Sequence, residues 1–170
     1  PIIISEIGWM GLPGNPAAVW LEIYNRSPAT VDLNTLSISR LQSTETGAAV
    51  HPGYAPIELT GTIASHGYKI IAYKPNNVST STLISAGLPT TTQFITETGS
   101  PASPSNTDLA DILGSNPTQL GVTLGTKVID ATPPEDACGM TGGVWCAGSQ
   151  GLMISVGRFD YAQPGSSRVS

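Results

Sequence analysis

Charge is what this sequence has least of. Asp, Glu, Lys and Arg together make up 11% of its 170 residues, less than half of the roughly 25% usual in globular domains. Only seven residues are Lys or Arg, they stand singly, and the formal net charge is −5. Binding to nucleic acid or to an anionic lipid surface draws on clustered basic side chains, so neither is expected as a partner. No stretch approaches the roughly 20 apolar residues a membrane helix needs, so no membrane insertion is expected. The opening residues PIIISEI have no basic region before the apolar run and no cleavage site after it, and they read as a strand rather than a signal peptide. The closing residues GSSRVS read as a cut in a longer chain, so neighbouring domains are expected.

Cysteine is scarce as well. Cys138 and Cys146 are the only two, in EDACGMTGGVWCAG. An even count, close spacing and three intervening glycines suit a local disulfide, worth roughly 2–3 kcal/mol in the chain-entropy model. Two buried thiols are the competing reading. Zinc would need two further ligands, and His51 and His66 have no ligand-like spacing to the pair. A disulfide implies an oxidising compartment, and with it an extracellular or cell-surface location. The Thr, Ser, Gly, Asn and Pro that replace charged residues fit the same assignment.

What is present is apolar, β-branched and finely divided by turn residues. The 39% hydrophobic content can form a core, and the length suits one domain over residues 1–170. Strands are expected at residues 1–7, 18–24, 31–33, 36–41, 57–63, 68–73, 118–124, 127–131 and 153–159. In the second, Val19, Leu21 and Ile23 alternate with Trp20, Glu22 and Tyr24. Residues 57–63 and 68–73 read as a hairpin, with Gly67 at a position of positive φ. Residues 42–56 read as a long loop or irregular hairpin, residues 74–105 as an insertion with a weak strand near Phe94 and Ile95, and residues 106–113 as a helical turn or two, with a strand as the competing reading. The expected core is Ile2, Ile4, Val19, Leu21, Ile23, Leu36, Ile38, Ile70, Ile71, Val128 and Met153. So many short strands argue for an all-β sandwich.

The order of these pieces resembles the lamin tail domain family. IIISEIGW at 2–9 is similar to the family's opening strand with its Ser-Glu pair, and VWLEIYN at 19–25 to its second strand with a Glu and a closing Asn. VDLNTLSIS at 31–39 and ELTGTIASHGYKIIAY at 58–73 resemble the segments that follow. LGTKVIDA at 124–131 and SVGRFD at 155–160 resemble the closing hairpin and Ser-x-x-Arg strand. The insertion at 74–105 and the cysteine loop at 138–146 have no counterpart. The resemblance implies an immunoglobulin-like antiparallel β-sandwich, and the acidity and cysteines point to the prokaryotic, exported branch, whose members sit beside hydrolase or wall-attachment domains.

No catalytic set stands out. Glu6 and Glu22 are the carboxylates that glycosidic chemistry would pair, but both suit ordinary strand positions. His51 and His66 lie in turns, and no Gly-x-Ser-x-Gly elbow is present. Asp108, Asp111, Asp130, Glu135, Asp136 and Asp160 gather in the C-terminal half without the spaced Asp pattern of a calcium loop, and they read as solvated turn acids. Trp9, Trp20 and Trp145 are candidates for an aromatic platform, and Trp20, Glu22 and Tyr24 share a strand face, the candidate binding surface. The long loops at 42–56 and 74–105 are the expected variable surface. The expectation is a non-enzymatic extracellular accessory module, without cofactor, that binds a protein or a cell-surface polymer or spaces other domains. A hydrolase's accessory domain and a calcium-dependent adhesion module are the alternatives.

Overall fold

Alternation and turn chemistry decide where the chain extends. The computed structural model describes residues 2–44, 47–96, 119–132, 156–157 and 168–169, and these are mostly strand, in several largely antiparallel sheets, with one short helix. The first sheet contains β1 (Ile2–Gly8), β2 (Trp20–Asn25), β8 (Tyr68–Tyr73), β9 (Gln93–Ile95), β12 (Val156–Gly157) and β13 (Arg168–Val169). Its order is β13-β12-β1-β2-β8-β9. The second contains β4 (Ser37–Thr44), β5 (Gly47–Val50), β6 (Ile57–Glu58), β10 (Leu120–Leu124) and β11 (Lys127–Ala131), along the path β11-β10-β4-β5 with β6 beside β4. A two-stranded pair joins β3 (Val31–Asp32) to β7 (Thr62–Ile63).

One hydrophobic cluster draws on both larger sheets. Ile2, Ile4 and Ile7 of β1, Leu21 and Ile23 of β2 and Ile71 of β8 meet Ile38, Ile57, Leu120 and Val122 of the second sheet. The core-facing positions of β1, Ile2, Ile4 and Ile7, fall at intervals of two and then three, which simple alternation forbids. The pairing accounts for it: Ile4 lies opposite Ile23 and Glu6 opposite Glu22, so Ser5 is an extra residue, a β-bulge. The bulge resets the side-chain parity, turning Glu6 outward and Ile7 back into the core. A second irregularity lies between Val122 and Thr123, where Asp130 and then Val128 are the partners, leaving Ile129 as the extra residue. Ile129 therefore packs against the core, while Val128, expected there, faces the side of Thr123 instead; both are half-buried. Met153 lies outside the described residues.

Two other expectations change. Residues 57–63 and 68–73 do not form a hairpin: β6 joins the second sheet, β7 pairs with β3, and β8 pairs with β2 and β9. The break falls at Thr60-Gly61, where Gly61 has φ 78° and accepts the amide of Leu33. Positive φ belongs to His66, at 53°, and not to Gly67. Histidine is among the few side chains enriched in the left-handed region. Gly67 is there for space, because a Cβ would lie 3.2 Å from the Ala64 carbonyl oxygen and 3.3 Å from Ile63 Cγ2.

The insertion at 74–105 contains structure the composition hides. The helix α1 (Thr80–Ser85) is capped by Ser79, whose side chain accepts the amide of Thr82. Its Leu83 is fully buried with Leu12, Ala18, Ile70, Ala72 and Leu88 in a second cluster on the outward face of the first sheet. β9 then runs parallel to β8, at the weak strand expected near Phe94 and Ile95. A parallel neighbour requires a crossover, and α1 lies in it. Within the span 42–56, read as a long loop or irregular hairpin, β5 pairs antiparallel with β4, and a turn follows at 51–56. The turn expected at residues 106–113 is outside the described residues. Among those described, no helix is long and apolar enough to cross a membrane.

Candidate functional site

Strand alternation brings Trp20, Glu22 and Tyr24 onto the outward face of the first sheet. Their partners on β8 are Ala72, Ile70 and Tyr68, and on β1 they are Gly8, Glu6 and Ile3. The face divides into a covered end and an open end. At the covered end Trp20 packs with the second cluster. Its indole lies over Gly8, where an added Cβ would fall 2.2 Å from the ring, so only glycine leaves room for it. Trp20 is half-buried and borders the open strip.

In the middle stands Glu22. The Ser5 hydroxyl, re-aimed by the bulge, donates to Glu22 Oε1 at 2.6 Å and lies 3.2 Å from the Glu22 carbonyl oxygen. Glu6 is directly opposite across the strands. Burial pushes the Glu22 carboxyl above its ordinary value of 4.5; the Ser5 hydrogen bond opposes this and the Glu6 charge adds to it. The folded carboxyl therefore holds its proton to higher pH than the unfolded one does. Between 4.5 and the raised value the folded state binds more protons, so stability falls as pH rises through that window, and the whole penalty is present above it. Glu22→Gln is expected to remove this slope and to raise stability at pH 7 by about 0.5 kcal/mol, the scale of relieving like charges directly opposite in a sheet. Thermal melts of both proteins from pH 4 to pH 8 check it: parallel curves would refute the assignment.

The open end is aromatic. Tyr68 is 60% exposed and faces the half-buried Tyr24 across the strands. The Tyr24 hydroxyl lies 3.5 Å from His66 Nδ1, and the left-handed backbone of His66 presents that exposed ring at the turn. Glu6, Glu22, Tyr24 and Tyr68 thus form a strip that accepts hydrogen bonds and offers aromatic surface, with no Lys or Arg of the described strands at its register positions.

The sequence singled out Trp20, Glu22 and Tyr24 but not Ser5 or Tyr68. Ser5 had a local signal in the broken spacing of Ile4 and Ile7. Tyr68 had none, because its place beside Tyr24 follows from the pairing of strands far apart in the chain. Asp130, read as a solvated turn acid, is buried and accepts the amide of Ile4 at 2.9 Å, because it faces the core on β11. The other five acids of that group, Trp145, Cys138 and Cys146 lie outside the described residues. Among those described, no group of three or more His, Cys, Asp or Glu side chains is arranged to hold a metal ion. Comparisons with family models, curated proteins and solved structures returned no match to this chain.

Proposed function

We propose that this chain is a non-enzymatic extracellular module, an immunoglobulin-like β-sandwich of the lamin-tail type, that holds a hydroxyl-rich polymer at the cell surface along the strip Glu6–Glu22–Tyr24–Tyr68. The observation that carries the proposal is Tyr68, a large ring 60% exposed in register with Tyr24 and on the same face as two carboxylates. Aromatic rings pack against the apolar faces of sugar rings, and carboxylates accept hydrogen bonds from hydroxyls. A strip on paired strands is held in place without ordering on binding, which lowers the entropic cost. The sandwich architecture is supported by the core shared between the two larger sheets. The exported location is supported by the scarcity of charge and by Cys138 and Cys146, whose disulfide belongs to the same proposal.

The test is co-sedimentation of the purified chain with a panel of insoluble neutral polysaccharides and isolated cell-wall glycan. Binding to at least one member is expected, with Tyr68→Ala weakening it about tenfold, the equivalent of 1.4 kcal/mol. Because Tyr68 is exposed, the variant should melt with the wild type. Binding to no member, or equal binding by the variant, would remove the strip from the proposal. The calcium alternative has lost one contributor, since Asp130 commits an oxygen to the Ile4 amide.

A further inference from the structure

A different chemistry lies at the end of the core, away from the strip. Arg40 follows Ile38 on the core-facing side of β4, and its register partner is the fully buried Leu120. The residue is only 7% exposed. Its guanidinium carbon sits 4.1 Å from the centre of the Tyr54 ring. Its Nε is buried with no hydrogen-bond partner, and Arg40 makes no ion pair among the described residues. A guanidinium keeps its charge on burial, and a buried charge costs several kcal/mol unless it is paired. The aromatic face offsets about 2 kcal/mol of this and leaves the buried Nε without a partner.

Among the described residues the neighbours of Arg40 are aromatic rings and backbone, and none is an acid paired with it. The His51 amide donates to the Arg40 carbonyl at 2.9 Å. The His51 ring packs edge-on against Tyr54, with centroids 4.7 Å apart. Its Nδ1 accepts the Gly53 amide at 3.1 Å. We propose that Arg40, with Tyr54 and His51 around it, is a binding site for a carboxylate. The planar pair of carboxylate oxygens matches the edge formed by Nε and a terminal guanidinium nitrogen, and a small planar anion suits so enclosed a group. The turn at 51–56 is the wall between Arg40 and solvent. Pro52, Gly53, Ala55 and Pro56 are exposed, and the Tyr54 amide donates to the His51 carbonyl oxygen at 3.4 Å.

The test is an acetate titration of the full chain at constant ionic strength, with chloride as the balancing ion, followed by the arginine Nε–H resonances. The Arg40 signal is expected to shift saturably with acetate and to stay in place in chloride alone. In parallel, acetate should raise Tm in the wild type, leave Arg40→Met unmoved, and bind at least tenfold more weakly to Arg40→Lys, whose ammonium lacks the fork. The wild-type titration decides the matter even if a variant fails to fold. No acetate-dependent shift at Arg40, or the same Tm response in Arg40→Met, would overturn the site and leave a guanidinium served by solvent and Tyr54.

Discussion

Asn25→Ala is expected to lower the unfolding free energy by about 3 kcal/mol, one of the largest single-residue effects outside the apolar core, from buried polar groups left without partners. Asn25 is completely buried at the end of β2. Its Nδ2 group lies 2.7 Å from the Ala29 carbonyl oxygen, 3.0 Å from that of Ala64 and 3.3 Å from that of Ile63. An amide has two hydrogens, so the longest contact shares one of them. Oδ1 accepts from the Ser27 amide at 2.9 Å and the Ser27 hydroxyl at 2.8 Å, and the Asn25 amide donates to the Gly67 carbonyl. One side chain thus holds the turn after β2 against the connection from β7 to β8, which bears His66 and precedes Tyr68. Alanine strands the Ile63 carbonyl at the buried end of this network and removes the part-buried bonds that tie the two turns together. For a chain of this size the loss corresponds to a Tm lower by about 6–12 °C. Asn25→Asp should be nearly as harmful at pH 7, because its carboxylate faces three carbonyl oxygens, and should recover part of the loss in acid. A drop within 1 °C for alanine would show that solvent replaces these bonds.

Much of the fold was legible because its strongest signals are local. The alternation of Val19 to Tyr24 gives β2 and its two faces, and the turn at Gly125-Thr126 gives the β10–β11 hairpin. What was not legible depends on partners distant in the chain. The segment 57–63 looks continuous, yet its two ends join different sheets, and the division at Gly61 follows from packing on Leu33 and Leu36. The helix α1 is built from Ser and Thr, poor interior helix formers, and exists because Leu83 has an apolar face to cover. No local pattern announces that face, since Ile70 and Ala72 become neighbours of Trp20 only through the β2–β8 pairing.

The candidate site shows the same division. Period-two alternation put Trp20, Glu22 and Tyr24 together, and the structure keeps them on one face. It could not tell that α1 covers one end while the other stays open at Tyr68. Arg40 falls within the strand expected at 36–41, with nothing local to set it apart. That it is buried against Leu120 and Tyr54 with no ion pair among the described residues depends on how deep β4 lies in the core, which alternation does not report.

Asp130→Ala is expected to cost about 2–3 kcal/mol, the scale of stranding a buried amide that had a charged acceptor, and to do so at the junction of the two large sheets. The two bulges make the junction. Ser5 is the extra residue of β1, and the amide beside it, that of Ile4, donates to Asp130 Oδ2 at 2.9 Å. Ile129 is the extra residue of β11, and Asp130 beside it faces the core opposite Val122. A regular β11 would shift the parity and carry the carboxylate away from Ile4. The bond therefore couples two irregularities that each look costly alone, and one of them also aims the Ser5 hydroxyl at Glu22. Asp130→Asn retains one acceptor oxygen and should cost less than half as much. Amide hydrogen exchange separates this from a general loss of packing. In Asp130→Ala the Ile4 amide should lose protection ahead of Leu21 and Ile23, whose positions on β2 also pair with β8. Uniform loss of protection across β1 and β2 would mean that the carboxylate stabilises the core as a whole and does not hold the bulge.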